Sequence, residues 1–507
     1  MMQEMLASRV VLSPRPQSQS ALPLEVAMLG HCPGRIRTRR LLALTEALSE
    51  IRKAGFGDTV DALIADPDAA DLHHLPIPLR SASEFHDIFP DARNEPAYYH
   101  STLAGNLSWL APCVDDFFAN GGQKLWIVVI PEDEGQQGFF PTSETNLIAP
   151  ETLRGLATLL VIPQIGEICL PDLERLQIPA RLPDIPRVRL DNPNPVFLPC
   201  AESVNDDHRE RRNDDEMALD DLPEPLGFNQ VLQNILPWLT RYRPDIQCLL
   251  TLPLAYLDAS DSPGADTAAL ELLNQMRTSD KAALLRQTQY LFPYLRGKGR
   301  PLLSPVGIVA GRQSQIAIQK GPWRSVAGLP LKSDNLPYPR MTRADVVEMR
   351  NAPGLSVVEL RNRQVELDDE RLCVPALPAS DYRHASSLER FDAYRSAELQ
   401  RLLGYLRRQL TRFGEQLVFS ADVRDPRPRL LLDRFFRSLW QRGALRGQRA
   451  EEAFSIRQIP AGESTLLIEI EIAPALPIDR IRLTFTNTGT DTGTAWQTDI
   501  STGGTNV

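Results

Sequence analysis

The sequence predicts a multidomain α/β and α+β chain, and three observations carry that prediction. Apolar runs of strand length alternate with amphipathic stretches of helical spacing through the first two thirds of the chain, the pattern of an α/β sheet. Near the C-terminus one long amphipathic helix is followed by two strictly alternating strands, an α+β arrangement. At 507 residues the chain is also longer than a single core usually supports.

Residues 1–25 hold one short apolar patch, Val10-Val11-Leu12, followed by the proline-broken polar run Ser13 to Ser20. Such a patch can form a strand but cannot bury itself, so it needs a sheet elsewhere, and a neighbouring molecule can supply one. Val26-Ala27-Met28-Leu29-Gly30 reads as a buried strand, and Arg39 to Lys53 as a helix with Leu41, Leu42, Leu44 and Leu48 inside. A helix around Val114 to Asn120 stops at Gly121-Gly122, and the buried strand Trp126-Ile127-Val128-Val129-Ile130 follows. Glu151 to Leu160 reads as a short helix, Gly166 to Pro171 as a strand end, and Ile246 to Pro253 as a further buried strand. Between them, Glu202 to Glu224 carries ten acidic residues and three arginines. A solvated, mobile insertion over 202–225 is the first reading of that composition, and a binding tail is the second.

In Leu431 to Gly447 the apolar positions Leu432, Phe435, Phe436 and Leu439 fall at helical spacing, with Arg434 and Arg437 on other faces. Leu466 to Ile472 and Arg480 to Thr486 alternate with period two, separated by Ala473-Pro474-Ala475-Leu476-Pro477. Glu469 and Glu471 share one face of the first strand and Arg480 and Arg482 one face of the second, so pairing would set opposite charges across the sheet. Asn487 to Val507 is rich in Thr and Gly, with Trp496 and Ile500 as its large apolar anchors besides Val507. It reads either as a free tail or as a strand given to a neighbour's sheet.

Composition narrows the function classes. With 55 Lys plus Arg against 65 Asp plus Glu, the net charge of −10 argues against general nucleic-acid affinity. No apolar run reaches the length of a membrane span, and the N-terminus lacks a signal-peptide core, so synthesis in the cytoplasm and no direct membrane insertion are expected. The six cysteines form no C-x-x-C pair and read as reduced core thiols. Seven histidines supply no zinc-hydrolase pattern, and His73-His74 reads as a surface pair, so no metal and no cofactor are expected. Gly297-Lys298-Gly299-Arg300 lacks the glycine spacing of a phosphate loop and reads as a solvated turn.

Ordered patches of the chain resemble the contractile tail sheath protein family, found in contractile phage tails, R-type pyocins (tailocins) and extracellular contractile injection systems. The C-terminal helix, Gly443-Ala444-Leu445-Arg446-Gly447, Glu452-Ala453-Phe454 and Ile470-Glu471-Ile472-Ala473-Pro474 look like the family's C-terminal domain. Val26 to Gly34 is similar to its opening strand and turn, with Pro33-Gly34 in reversed order, and Ser81 to Phe89 to its Ser-x-x-Glu-Phe segment. Val114 to Val129 matches well, and Gln289 to Arg296 and Leu303 to Gly311 resemble two later segments. The chain departs from the pattern at its N-terminus, which lacks the usual Pro-Gly-Val-Tyr-x-Glu arm, and after Gly311, where no Arg-Thr-Asp precedes Trp323.

The resemblance implies an inner α+β core domain, built from the N-terminal arm 1–25 and residues 346–486, with a larger outer α/β domain over 26–345 and a C-terminal arm over 487–507. It implies a structural subunit that polymerises with copies or paralogues of itself around an inner tube, meets baseplate and terminator proteins, and assembles in the cytoplasm before release in a particle. Val10, Val11, Leu12, Trp496 and Ile500 would be the inter-subunit anchors. Arg434, Arg437, Arg442, Arg446 and Arg449 would face the tube, although a solvated helical face accounts for them equally simply. A minor sheath paralogue at the baseplate or terminator end is the alternative. The family's central region is likened to subtilisin in topology, so a hydrolase is the second alternative; no G-x-S-x-G elbow supports it, but a distant Ser, His and Asp meeting in space stays open.

Overall fold

The computed structural model describes residues 23–34, 36–90, 108–178, 226–256, 263–297, 301–351, 353–374, 395–417, 427–460, 466–475, 481–490 and 493–502. Val10, Val11, Leu12, the acidic insertion 202–225, Cys200 and Lys298 to Arg300 lie outside these residues.

The larger unit begins with β1 (Glu25–His31), α1 (Thr38–Leu42), α2 (Thr45–Lys53), α3 (Gly57–Ala65), β2 (Ile77–Leu79), α4 (Ala82–Ile88), α5 (Leu110–Ala119) and β3 (Leu125–Ile130). It continues through α6 (Leu156–Leu160), β4 (Ile165–Cys169), α7 (Pro171–Arg175), α8 (Phe228–Tyr242), β5 (Gln247–Thr251) and a small hairpin of β6 (Leu254–Tyr256) and β7 (Pro263–Ala265). After α9 (Thr267–Arg277) come β8 (Thr288–Phe292), β9 (Tyr294–Arg296), β10 (Leu302–Leu303), α10 (Val306–Lys320), β11 (Pro330–Leu331), β12 (Leu336–Tyr338), α11 (Arg343–Asn351), β13 (Ser356–Arg361) and β14 (Gln364–Leu367).

These strands make a nine-stranded sheet in the order β11-β14-β13-β8-β5-β4-β1-β3-β2. Its central strands β13, β8, β5, β4, β1 and β3 run parallel, and β2 and β14 are antiparallel to their neighbours. Parallel strands carry crossover helices on both faces, so they are buried throughout and read as unbroken apolar runs. Every residue of β3, β4, β5 and β8 is buried accordingly. β9 pairs with β10 and β12 in a separate three-stranded sheet.

The start of β1 is fastened firmly. The Leu24 carbonyl accepts the Ser314 hydroxyl at 3.1 Å, and the Glu25 carboxylate accepts Trp126 Nε1 at 2.9 Å and meets Lys124 Nζ at 3.0 Å. On the sheet's face, α10 lies against α5 at unusually close range. A Cβ at Gly307 would lie 2.6 Å from the Cys113 carbonyl oxygen, and one at Gly311 would overlap that of Phe117.

The smaller unit holds α12 (Ala397–Leu417), α13 (Arg427–Gln441), α14 (Ala450–Ala453) and the antiparallel sheet β15 (Phe454–Pro460), β16 (Leu466–Ile472), β17 (Ile481–Thr490) and β18 (Gly493–Thr502), in that order. Its core joins Leu402, Leu406, Leu432, Phe436, Ile468 and Ile470, with Trp323 inserted from the larger unit's part of the sequence.

Most expected elements occur at their expected places, with informative exceptions. The helix foreseen over Arg39 to Lys53 is two helices broken at Ala43-Leu44, with Leu42 and Leu44 only half-buried. The helix foreseen from Glu151 is interrupted where the backbone turns left-handed at Gly155. Residues 346–374, placed by sequence with the C-terminal domain, instead extend the large sheet: β13 pairs with β8, and Val357, Val358 and Leu367 join the larger core. Pairing in a parallel sheet is non-local, so adjacency in sequence misled the boundary.

The segment foreseen as a C-terminal arm from 487 closes on its own sheet within the single chain. β18 pairs antiparallel with β17, setting Trp496 opposite Asn487 and Ile500 opposite Leu483. Threonine favours extended backbone, and hairpin pairing satisfies main-chain groups that a free tail leaves to water. The opposed charges materialise in register as Glu471 against Arg482, whereas Glu469 faces Thr484 there and Arg457 on its other side.

Adding one methyl group at the α5–α10 contact tests the packing. Gly311→Ala should destabilise the chain by about 1–3 kcal/mol through overpacking, read as a lowered denaturation midpoint with an unchanged far-ultraviolet spectrum.

Candidate functional site at the joint between the two units

α12 is strongly amphipathic, with Leu399, Leu402, Leu406 and Leu410 buried in the smaller core. A second stripe, Ala397, Arg401, Gly404 and Arg408, recurs at steps of four, three and four residues and so shares one face. That face meets the N-terminal ends of β4 and β5. A Cβ at Gly404 would overlap the Asp245 carbonyl oxygen, so only glycine admits the helix this close.

The two arginines of the stripe are buried and each meets a carboxylate of the larger unit. Arg401 Nη1 lies 2.9 Å and Nη2 3.0 Å from the Glu370 carboxylate, and Nε donates to the Pro322 carbonyl at 3.2 Å. Glu370 also accepts Gln313 Nε2 at 2.6 Å and the Val326 N–H at 2.9 Å. Burial alone would raise the Glu370 carboxyl, but Arg401 and these donors hold it below the usual range. Arg408 Nη1 donates to the Asp245 carbonyl at 2.7 Å and lies 3.4 Å from its carboxylate.

Asp245 is gripped from the other side by Arg243, whose Nε and Nη2 each approach a carboxylate oxygen at 2.9 Å. Arg243 also donates to the carbonyls of Leu160, Ile162 and Ile165 at 3.0, 2.8 and 2.8 Å, satisfying the end of α6. Burial pushes Asp245 upward, yet the paired guanidinium groups leave it below its ordinary value. Trp323, 3% exposed, completes the joint as an apolar plug.

At the opposite end of the sheet, strand order reverses between β1 and β4, the place where doubly wound sheets usually take ligands. Here the chain's own Asp172 fills it. Its carboxylate accepts the N–H groups of His31, Trp109 and Leu110 at 2.9, 2.7 and 3.1 Å, the Ser108 hydroxyl at 2.8 Å and Arg175 Nε at 2.9 Å. Serine, histidine and aspartate thus do meet in space, but without the relay that hydrolysis needs. Ser108 donates to Asp172 and to the His31 carbonyl, while the His31 ring places Nδ1 3.0 Å from the Ile130 carbonyl. All three residues are buried, and burial holds His31 below its usual range. A nucleophile requires a base within reach and an accessible face, and this cluster offers neither.

His74 departs from its expected surface position. Its side chain is mostly buried, Nδ1 accepts the Gly155 N–H at 3.0 Å and Nε2 lies 3.0 Å from Glu134. No group of three potential metal ligands occurs among the described residues, and no helix there is long and apolar enough to cross a membrane. The described cysteines Cys32, Cys113, Cys169, Cys248 and Cys373 are free thiols.

The arginines read as tube-facing are dispersed. Arg434 and Arg437 are exposed on α13, Arg446 and Arg449 are exposed beyond its end, and Arg442 is half-buried. Arg437 is paired with Asp433 at 2.7 Å and lies 3.8 Å from Glu451, so the surface is mixed in charge. Of the proposed anchors, Trp496 and Ile500 sit on β18. The residues that join the units escaped the sequence reading, although arginines spaced seven apart on an apolar helix were its visible trace.

No protein-family model and no curated protein matches the chain. Solved structures do. A chain of the anti-feeding prophage (AFP) baseplate in contracted state superposes with a TM-score of 0.54 at 16% identity, covering 94% of this chain and 97% of that one. The chain shares the fold of that AFP baseplate chain. The AFP helical sheath in contracted state aligns over 94% of this chain and 98% of that one, with a TM-score of 0.49 and 13% identity. The sheath complex of the extracellular contractile injection system PVC, also contracted, gives 0.46 and 13% over 94% and 96%.

Within this fold the Arg401–Glu370 pair should be the costliest contact to break from one side. Arg401→Leu leaves a buried, uncompensated carboxylate and should cost about 3–5 kcal/mol. Removing both charges, in Arg401→Leu with Glu370→Leu, should recover most of that loss in a double-mutant cycle.

Proposed function

We propose that the chain is a structural subunit of a contractile sheath, which polymerises around an inner tube and contracts to drive that tube through a target envelope. The observation that carries this reading is the likeness to the contracted AFP baseplate chain along nearly the whole length of both proteins. Free energy for the stroke resides in contacts between subunits, so the reading invokes neither nucleotide nor metal.

The sheet edges favour assembly through the smaller unit. In the large sheet the edge strands β11 and β2 are two and three residues long and both contain proline, which blunts them as templates. β15 is seven residues long and has no partner on its outer side among the described residues. Val10-Val11-Leu12 of a neighbouring copy supplies a strand for such an edge. β18, with Trp496 and Ile500, offers the same main-chain bonds to a neighbour that it makes to β17, so it can be exchanged between copies.

Arg434, Arg446 and Arg449 are the better candidates for a tube contact, because Arg437 is already paired. Exposed ion pairs of about 0–1 kcal/mol each are weak enough to break during contraction. Assembly in the cytoplasm, with baseplate and terminator proteins at the two ends, precedes release in the particle under this reading. A minor sheath paralogue beside the baseplate is the second reading, favoured by the baseplate origin of the 0.54 match.

Negative-stain microscopy of the purified chain with its tube protein distinguishes them: long helical tubes are expected for the main subunit, and a single ring for the paralogue. Deleting residues 1–20 should abolish polymers while leaving the monomer's thermal transition in place; normal tubes from the deletion would remove the N-terminal segment from the lattice. Reversing charge at Arg434, Arg446 and Arg449 together should weaken co-assembly with the tube without changing monomer stability.

A further inference from the structure

Two carboxylates at the joint lack the partners that a buried anion requires. Both oxygens of Glu167, on β4, are buried and accept no hydrogen bond, and Glu398, in the first turn of α12, accepts only its own main-chain N–H and leaves a buried Oε2 bare. Glu370 between them is fully engaged by Arg401, Gln313 and Val326. Among the described residues, the neighbours of these groups supply no further unengaged positive charge. α12 contributes Arg401 and Glu398, and the segment after β14 contributes Glu370 and Asp369, the latter bonded to Arg371 at 2.7 Å. β5, β8 and α10 present only the neutral amides Gln247, Gln289 and Gln313, and β4 and β5 the thiols Cys169 and Cys248. Arg408 is committed to Asp245. Among the described residues, the Arg401 guanidinium thus faces the three carboxylates Glu370, Glu167 and Glu398.

A carboxylate buried without a partner binds a proton in preference to staying charged. We propose that the joint is a proton-dependent latch: with Glu167 and Glu398 protonated, Arg401 and Glu370 form a neutral pair and α12 stays on the sheet, whereas loss of those protons crowds three anions around one cation and releases α12. The ligand is the proton itself, and the moving part is the smaller unit. Burial, the largest influence on both groups, pushes each up to about 8 from an ordinary 4.5. An acid raised in the closed state binds more protons closed than open, so closure weakens as pH rises from about 4.5 through about 8. Low pH secures the latch and alkaline pH undoes it.

Hydrogen–deuterium exchange of the full chain, corrected for intrinsic base catalysis and read by mass spectrometry between about pH 6 and about pH 10, tests this. α12 amides in the wild type should lose about tenfold or more in protection across the range while β1 and β3 keep theirs. Glu167→Gln with Glu398→Gln, which mimics the protonated pair and cannot ionise, should hold α12 protected throughout. Constant protection of α12 in the wild type, or an equally steep loss in the double variant, would overturn the proposal. If the double variant does not fold, Glu167→Gln alone should move the loss to higher pH or flatten it, and a profile identical to the wild type overturns the proposal equally.

Discussion

The grip of α12 on the N-terminal ends of β4 and β5 is the constraint on which the rest of the structure depends. The two cores are distinct apolar clusters, and Arg401 and Arg408 tie one to the other. Arg401 and Arg408 fix the helix by direction as well as by charge, since each guanidinium reaches both a carboxylate and a main-chain carbonyl of the larger unit. A purely apolar contact can slide, whereas a forked donor with fixed acceptors cannot do so without leaving buried polar groups unpaired. Gly404 then sets the distance, and Trp323 excludes water from one side.

The opposite end of the sheet shows what the fold has given up. A reversal of strand order beside a helix N-terminus is a natural cradle for an anionic ligand. Asp172 occupies that cradle from within, taking three main-chain N–H groups, a hydroxyl and a guanidinium. An α/β scaffold that elsewhere supports chemistry is here closed into a solid block.

Much of this was visible in the sequence where burial acts on local patterns. The runs Val26 to Gly30 and Trp126 to Ile130 are unbroken because parallel strands are covered on both faces, and Leu466 to Ile472 alternates because its sheet is covered on one. Reading failed where the deciding contact is distant in sequence. Nothing near Val357 reveals that it will lie beside Phe292. Arg401 and Arg408 recur on a stripe beside the apolar one and so look like solvated positions, although they are buried against partners at 370 and 245. Glu167 is a charge inside the otherwise apolar strand β4, and it escaped the sequence reading. The Thr-rich end reads either as a free tail or as a strand for a neighbour because its apolar anchors are few, and its pairing with β17 in its own chain needs none.

β1 follows directly after the N-terminal segment and lies in the middle of the large sheet, bonded to β3 on one side and β4 on the other. Its first residues are clamped by Ser314, Trp126 and Lys124. A pull applied ahead of Leu24 would act along the strand axis and load both rows of bonds at once, in shear, instead of peeling them singly from an edge. The start of β1 is thus the part of the sheet best placed to bear a pull.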